Sequence, residues 1–464
     1  MPRPRWSSYL ALVAALLALL IAPSATRAQA PTVTLFEGAR LLTGDGGVIE
    51  NSAFIVANDR FVGVGRRGEL PPPPGAARVD LTGKTVMPAL VDDHVHMGYR
   101  SGTSFAADNY TRENLLDMLD RYAFYGVAAI LETGTGRGEL PYRVRSEAHS
   151  GARYLTSGSG FGMPNAGPGG VMRDSAYGIT TEEEARKDIR ELAAHKADFV
   201  KIWVDDRNGT VEKLKPNLYR ALIDEAHKHN MRVMAHITTL DDVKDLVRSG
   251  IDGFAHMVRD KDVDDELIAL LKARPNVFFV ETLWGERRAL YTAKPAWVDD
   301  PVLLQAFSAQ DIKQLAEQLS PDPKADPKAV QRAREFGATN LRNTAKLYAA
   351  GVRLGLGTDT GGVSGGQFFG LGSHVELELL VTKAGLTPMQ AIVLGTHTAA
   401  GILGLDELGM VGPGKSADFL VLDANPLDDI ANTRRINKVY LRGKEIARAA
   451  LSAKWQAKNA QLAK

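Results

Sequence analysis

The 464-residue chain contains no cysteine. This absence excludes disulfide bonds, a cysteine nucleophile and thiolate metal ligands. An excess of one charge is also lacking, because 56 Lys and Arg residues are balanced by 55 Asp and Glu residues. With no basic patch and no long run of like charges, the sequence gives no reason to expect nucleic acid as a partner.

A long apolar run is missing as well. The longest candidate, YLALVAALLALLIA, lies near the N-terminus and is shorter than the roughly 20 residues that a membrane-spanning helix needs. It follows Arg3 and Arg5 and precedes the small residues Ala28 and Ala30. This three-part pattern predicts a secretory signal peptide over residues 1–30, the alternative being a membrane anchor. We therefore expect export across the inner membrane to the periplasm, without stable membrane insertion after the signal is removed.

The middle of the chain, residues 88–404, alternates β-rich runs with amphipathic helical patterns. Two helices carry clear start signals, Thr111 as an N-cap and the pair Thr181 and Glu184 as a capping box. Eight strand patterns can be counted, from VMPALVDDHVH to VRLGLGTDTG. Strands that alternate with helices form parallel sheets, and eight such units predict an α/β fold of the TIM-type (β/α)8 class.

The two ends of the chain differ from this middle part. Short β-rich runs separated by Gly, Asp and Asn turns occupy residues 31–87 and recur within residues 405–464. We expect both segments to pair in one small β-sandwich domain beside the barrel. A helical insertion at about residues 284–350 is longer than a usual barrel connection, and it contains the Pro-rich segment SPDPKADPK.

The stretch VMPALVDDHVHMG ends a buried run on two histidines. In a strand, alternate side chains point to the same face, so His94 and His96 point together while Val95 points away. Two imidazoles on one face can share a metal ion. The alternative is a pair of surface histidines at the end of a strand.

Four later strands also carry a polar residue toward their carboxyl ends. These are Lys201 in DFVKIWV, His236 in VMAHI, His256 in GFAHM and Asp359 in LGTDT. Each has an ordinary alternative, since a histidine can be a hydrogen-bonded core residue, a lysine an ion-pair partner and an aspartate a turn residue. The carboxyl ends of the strands meet at one mouth of a TIM barrel, where its chemistry takes place. Six polar side chains at that mouth favour a metal site.

The ligand types indicate which metal chemistry to expect. Imidazole and carboxylate groups suit zinc and similar divalent ions, and two such ions about 3.5–4 Å apart can share a hydroxide. A lysine ammonium has only donors and cannot bind a metal ion. A buried lysine loses its proton readily, however, and the neutral amine can take up carbon dioxide as a carbamate that could bridge two ions.

These motifs resemble the amidohydrolase superfamily, and most closely its imidazolonepropionase-like and prolidase-like members, over about residues 33–446. VMPALVDDHVH is similar to the family's Pro-Gly-Leu-x-Asp-x-His-x-His opening, except that Ala89 stands where glycine is usual. ADFVKIW is similar to its carboxylated-lysine strand, and LGTDT to its strand-eight aspartate. LGMVGPGKSADFLVLDANPL is similar to its return into the small β-domain.

The resemblance implies two divalent ions, zinc in first place, and six ligands: His94, His96, Lys201, His236, His256 and Asp359. It implies that the strand-one histidines and the aspartate hold the more buried ion. The other two histidines hold the second ion, and the lysine, as a carbamate, bridges both. Asp359 would also be the catalytic acid–base group that moves a proton from the bridging hydroxide or water to the leaving group.

The resemblance thus implies a metal-dependent hydrolase of C–N bonds in dipeptides, N-acyl amino acids or related amides, and the predicted signal peptide implies that it is exported. Tyr99, Trp203 and His374 are candidates for contacts with this small-molecule substrate, and a homo-oligomer is compatible with the sequence. Two alternatives stay open. The same centre could hydrolyse an ester, lactone or phosphotriester, or the protein could be a periplasmic barrel that binds a ligand without turnover.

Overall fold

The structure is a computed structural model that describes residues 33–147, 150–320 and 324–462. The predicted signal peptide, residues 1–30, lies outside the described residues. Within these three ranges, no helix combines the length and the apolar character that crossing a membrane requires.

The first seven strands build the N-terminal part of the fold. They are β1 Val33–Glu37, β2 Arg40–Leu42, β3 Val48–Ile49, β4 Ser52–Ala57, β5 Arg60–Arg66, β6 Ala77–Asp80 and β7 Thr85–Pro88. Four of them form a sheet in the order β5-β4-β1-β6, in which only β1 and β6 run parallel.

The middle of the chain contains twelve strands. They are β8 Leu90–Val95, β9 Arg100–Ser101, β10 Ser104–Phe105, β11 Val127–Glu132, β12 Arg153–Thr156, β13 Phe161–Gly162, β14 Tyr177–Gly178, β15 Val200–Trp203, β16 Val233–His236, β17 Gly253–Ala255, β18 Phe278–Glu281 and β19 Arg353–Leu356. All eight runs that the sequence predicts as strands contain one, namely β8, β11, β12 and β15 to β19. Apart from the β9–β10 hairpin, their pairs are parallel, in sheets ordered β12-β11-β8 and β14-β13-β15-β16-β17-β18-β19.

Backbone hydrogen bonds also connect these two sheets. The His96 N–H donates to the Thr360 carbonyl over 2.8 Å, and the Asp359 N–H donates to the His94 carbonyl over 2.9 Å. At the other side, the Asp198 N–H donates to the Thr156 carbonyl over 2.9 Å. The first pair of bonds brings the end of β8 next to the segment that follows β19.

The last three strands, β20 Phe419–Leu422, β21 Ile436–Leu441 and β22 Lys444–Glu445, join strands from the other end of the chain. They form a six-stranded sheet in the order β22-β21-β20-β7-β2-β3. Buried aromatic rings pack this sheet against the four-stranded one. The ring centroids of Phe54 and Phe419 lie 5.2 Å apart, and those of Phe36 and Tyr440 lie 5.3 Å apart. The two ends thus share a small hydrophobic core.

The α-helices lie mainly between the parallel strands. They are α1 Arg112–Phe124, α2 Leu140–Ser146, α3 Glu182–Ala194, α4 Pro216–Lys228, α5 Leu240–Arg248, α6 Asp265–Ala273, α7 Arg287–Leu290, α8 Ala309–Gln318, α9 Pro327–Ala349, α10 Leu371–Thr382, α11 Pro388–Val393, α12 Ala399–Leu403 and α13 Arg448–Leu462. Both predicted start signals are confirmed. The Thr111 side chain accepts a hydrogen bond from the Asn114 N–H, and Thr181 and Glu184 form a complete capping box.

Two features differ from the sequence pattern. The run VMPALVDDHVH is divided at Ala89 between β7, which pairs with β20, and β8, which pairs with β11. The last described residues, Arg448–Leu462, also form helix α13 rather than β-structure. This helix is anchored because the buried Trp455 indole N–H donates to Asp117 of α1 over 2.8 Å.

Candidate metal centre

The six predicted ligands come from five parallel strands and line one cavity of 360 Å³. His94 lies in β8 and His96 directly follows it, while Lys201 lies in β15 and His236 ends β16. His256 follows β17, and Asp359 follows β19. Parallel strands bring their carboxyl ends to the same edge, so residues far apart in sequence meet there. The rest of the cavity is lined by Ala166, Pro168, Gly169, Gly170, Met172, Trp203, Asp205, Arg207, Gly362, Val363 and Ser364.

His94, His96 and Asp359 form a group whose ligand atoms all lie within 4.8 Å of one another, close enough to hold one metal ion. Asp359 Oδ1 is 3.0 Å from His96 Nε2 and 3.5 Å from His94 Nε2. Its other oxygen, Oδ2, accepts a hydrogen bond of 2.8 Å from the Ser364 hydroxyl. Burial opposes ionisation of Asp359, but the hydrogen bonds from the two imidazoles outweigh it and hold the pKa well below its usual range.

The other two predicted histidine ligands, His236 and His256, line the same cavity next to His94. The ring centroids of His94 and His256 lie 4.9 Å apart, and those of His256 and His236 lie 4.6 Å apart. Burial lowers the pKa of all three imidazoles. They are therefore held in the neutral form, which is the form that binds a metal ion.

One nitrogen of each imidazole is already occupied by the protein. The Thr133 hydroxyl lies 3.2 Å from His94 Nδ1, its nearer ring nitrogen, and 3.5 Å from Nε2. His96 Nδ1 lies 3.1 Å from the Thr135 hydroxyl. His236 Nε2 lies 3.2 Å from Asp205 Oδ2, and His256 Nδ1 lies 2.7 Å from the Thr282 hydroxyl. Such contacts orient metal-binding histidines and leave the second nitrogen for the ion.

Lys201 is the most unusual member of the group. Its side chain is 1% exposed, and Nζ has no hydrogen-bond partner among the described residues. Burial lowers the pKa of this amine to about 7. A buried amine without a partner is costly, so the position fits a group that is completed by an added carboxylate and a cation. The donor set therefore fits a divalent metal centre.

The backbone around the centre is held in unusual conformations. His256 and Asp359 adopt positive φ angles of 71° and 55°, which are uncommon for residues other than glycine. Asp359 is kept in place by the loop that follows it. A Cβ at Gly365 would lie 1.7 Å from the Asp359 carbonyl oxygen, so only glycine fits there. Backbone strain of this kind is concentrated at functional sites.

The three candidate substrate contacts lie in different surroundings. Trp203 lines the cavity, but Tyr99 and His374 are not among its lining residues. The Tyr99 hydroxyl donates over 2.9 Å to the carbonyl of Thr135, the residue whose hydroxyl contacts His96. His374 is fully buried in α10, and its Nε2 lies 2.7 Å from the Tyr125 carbonyl.

The supporting residues of the centre are not apparent from spacing. Thr133 and Thr135 occur in ETGT, directly after β11, where Glu132 is completely buried. Glu132 Oε1 accepts hydrogen bonds from the Thr135 N–H and hydroxyl, and Oε2 accepts one from Thr156. The only signal in the sequence is a cluster of polar residues at the end of a buried strand.

Comparison with known proteins places the chain in a family. Ochratoxinase of Aspergillus niger is 24% identical over 439 residues, with 86% of this chain and 82% of that protein covered. Imidazolonepropionase of Ruegeria sp. (strain TM1040) is 25% identical over 425 residues, with 88% and 96% covered. The solved structure of a Xaa-Pro dipeptidase with bound methionine in the active site has a TM-score of 0.70 at 20% identity, with 89% of this chain and 99% of that chain covered.

These likenesses show a TIM-barrel-like α/β fold. The model of the amidohydrolase family matches residues 85–446, which is more than half of the sequence and contains all six predicted ligands. The chain belongs to the amidohydrolase family and is a hydrolase that acts on C–N bonds.

Proposed function

We propose that this C–N bond hydrolase is an exported, metal-dependent enzyme that cleaves the amide bond of dipeptides, N-acyl amino acids or related small amides. One observation carries the proposal. Four imidazoles, each with one nitrogen fixed by the protein, surround a cavity together with an ionised carboxylate and a buried lysine amine without a partner.

The residues divide naturally into two ion sites. His94, His96 and Asp359 would hold one divalent ion, and His236 and His256 the second. The Lys201 amine can add to carbon dioxide with loss of one proton, and the resulting carboxylate would lie between the two sites. Bound there, two divalent ions, for which we propose zinc, would polarise the scissile carbonyl and ionise a water molecule at neutral pH.

Asp359 is proposed as the group that moves the proton. Its carboxylate lies at the cavity with Oδ1 beside His94 and His96, and Ser364 fixes Oδ2. An ionised carboxylate in this position can accept a proton from water and deliver it to the leaving nitrogen. The conformation at φ 55°, held by the close approach of Gly365, keeps this carboxylate aimed at the cavity.

The fold supports the same proposal. We propose that the parallel strands close into a complete barrel, because hydrogen bonds connect β8 to the segment after β19. In the proposed domain division, residues 88–404 form the barrel, and residues 31–87 and 405–464 form the small β-domain. The insertion at about 284–350 contains helices α7 to α9. Residues 1–30 are proposed to direct export to the periplasm.

The proposed substrate class rests on the size of the cavity and on the relatives. At 360 Å³ the cavity is near the lower end of ligand pockets, which are about 300–1,000 Å³. It suits a molecule the size of a dipeptide. A Xaa-Pro dipeptidase has the same fold, and by analogy we propose a substrate of that kind for this chain.

The test is a substrate panel. Purified protein loaded with zinc is incubated with dipeptides and N-acyl amino acids, and released amine is measured, with metal-stripped protein and Asp359→Asn as controls. The proposal predicts release that needs both the metal and the Asp359 carboxylate. Silence toward amides together with hydrolysis of esters, lactones or phosphotriesters would replace the proposed substrate class. Silence toward every substrate, with metal bound, would favour a binding protein.

A further inference from the structure

The cavity contains one cation that the proposed centre does not use. Arg207 lines the cavity, and its guanidinium donates a hydrogen bond to the Gly167 carbonyl. Within the described part of the chain, no carboxylate forms an ion pair with it. A guanidinium presents five donors, so one bond to a carbonyl leaves an edge available to a ligand.

Two neighbouring arginines have other roles. Arg100 donates to the Gly362 carbonyl over 2.8 Å, and Arg287 donates to the carbonyls of Trp284 and Ser364 and to the Gln318 side chain. Both hold the loop that follows Asp359, and neither lines the cavity. Arg207 is therefore the arginine that a substrate entering the cavity can reach.

The position of Arg207 is fixed relative to the proposed centre. Its backbone adopts a φ of 48°, and its N–H donates to Asp205 Oδ1 over 2.9 Å. The other oxygen of the same carboxylate, Oδ2, lies 3.2 Å from His236 Nε2. Asp205 thus fixes both the histidine and the turn that presents the arginine. This contact uses the backbone of Arg207, so a side-chain substitution leaves it intact.

The remaining lining is largely apolar. Met172 and Trp203 belong to the cavity wall, and Val363 is 58% exposed although its side chain is large and apolar. An exposed apolar side chain at the mouth of a cavity is covered when an apolar ligand group binds. A ligand that matches this lining has one anionic end and one apolar part.

We propose that Arg207 binds the free carboxylate of the substrate, and that the substrates are small amides with an anionic terminus and an apolar side chain next to Trp203 and Val363. The inference rests on the proposed function and adds to it the residue that binds the anionic end of the substrate. Arginine suits this task because its planar fork can donate two parallel hydrogen bonds to a carboxylate.

The kinetic test compares Ala-Leu with Ala-leucinamide, which lacks only the terminal charge. The wild-type protein is expected to prefer Ala-Leu. Arg207→Gln lowers kcat/KM for Ala-Leu by about 10- to 100-fold, the range for a lost hydrogen bond to a charged group. It also moves the ratio of kcat/KM for Ala-Leu to kcat/KM for Ala-leucinamide toward one. Arg207→Lys, which keeps the positive charge, lowers kcat/KM for Ala-Leu by less. Arg173→Gln, at an exposed position outside the cavity lining, is the matched control and keeps the wild-type ratio.

A binding measurement separates this inference from the proposed function. Calorimetry with leucine and leucinamide needs no turnover. Wild-type protein is expected to bind leucine more tightly than leucinamide, and Arg207→Gln is expected to bind the two equally. If no amide is hydrolysed and leucine still binds through Arg207, the proposed function fails and the carboxylate site stands. If Ala-Leu is hydrolysed and Arg207→Gln changes neither the substrate ratio nor leucine binding, the role of Arg207 is overturned while the proposed function stands.

Discussion

Replacing Thr135 by valine tests how the proposed centre is held together. The Thr135 hydroxyl lies 3.1 Å from His96 Nδ1 and donates to Glu132 Oε1 over 2.5 Å. Valine has a similar volume but lacks the hydroxyl, so the imidazole and the carboxylate each lose a buried partner. A lost buried hydrogen bond costs about 1–3 kcal/mol, and we expect the free energy of unfolding to fall by that amount. Loss of a partner that orients a metal ligand lowers metal affinity by about 10- to 100-fold.

Thr156→Val is the matched control for this prediction. The Thr156 hydroxyl donates to the other oxygen of Glu132, Oε2, over 2.7 Å and makes no contact with His96. We expect it to lower the free energy of unfolding by a similar amount and to leave metal affinity at the wild-type value. Urea unfolding measures the first quantity, and competition for zinc with a chromogenic chelator measures the second. Equal metal affinity in the two variants would refute the idea that Thr135 orients His96.

Three further predictions address other parts of the molecule. Lys201→Ala should lose bound metal, and short-chain carboxylates added with zinc should partly restore it in metal analysis; unchanged metal content would contradict a bridging role. Phe54→Ala should lower the free energy of unfolding by about 3–5 kcal/mol, because Phe54 is fully buried between the two small sheets. Burial lowers the pKa of His374 to about 4 in the folded protein. Below about pH 6.5 the unfolded chain therefore takes up a proton on this imidazole that the folded protein does not, and the free energy of unfolding falls as the pH drops from 6.5 toward 4. His374→Gln should reduce the loss of stability between pH 7 and pH 5 by about 2 kcal/mol, and an unchanged loss in urea titrations would contradict this.

The sequence predicts the arrangement of the strands well because burial dictates their pattern. Most of the eight strands are apolar runs, so His236 stands out at the end of β16 and Asp359 stands out shortly after β19. The capping residues Thr111 and Thr181 are also readable, since a hydrogen bond to the third following N–H depends only on local sequence. Family resemblance then supplies a role for each polar residue.

The contacts that support the centre cannot be read in this way. Thr135 and Asp205 reach their histidines across neighbouring strands, and such partners depend on side-chain positions rather than on spacing. His374 follows strand β19 closely in sequence, yet helix α10 turns it toward Tyr125. The terminal helix α13 is stabilised by contacts of Trp455 with α1, which its own weakly patterned sequence does not reveal.

The number of metal ions bound per chain distinguishes the proposed two-ion centre from the alternatives. Purified protein is dialysed against zinc, freed of excess ion and analysed by mass spectrometry, together with a double variant His236→Ala, His256→Ala. The account predicts two ions per wild-type chain and one per chain of the variant, since His94, His96 and Asp359 remain. A wild-type chain that binds no zinc, or a variant that still binds two ions, would contradict the proposed centre.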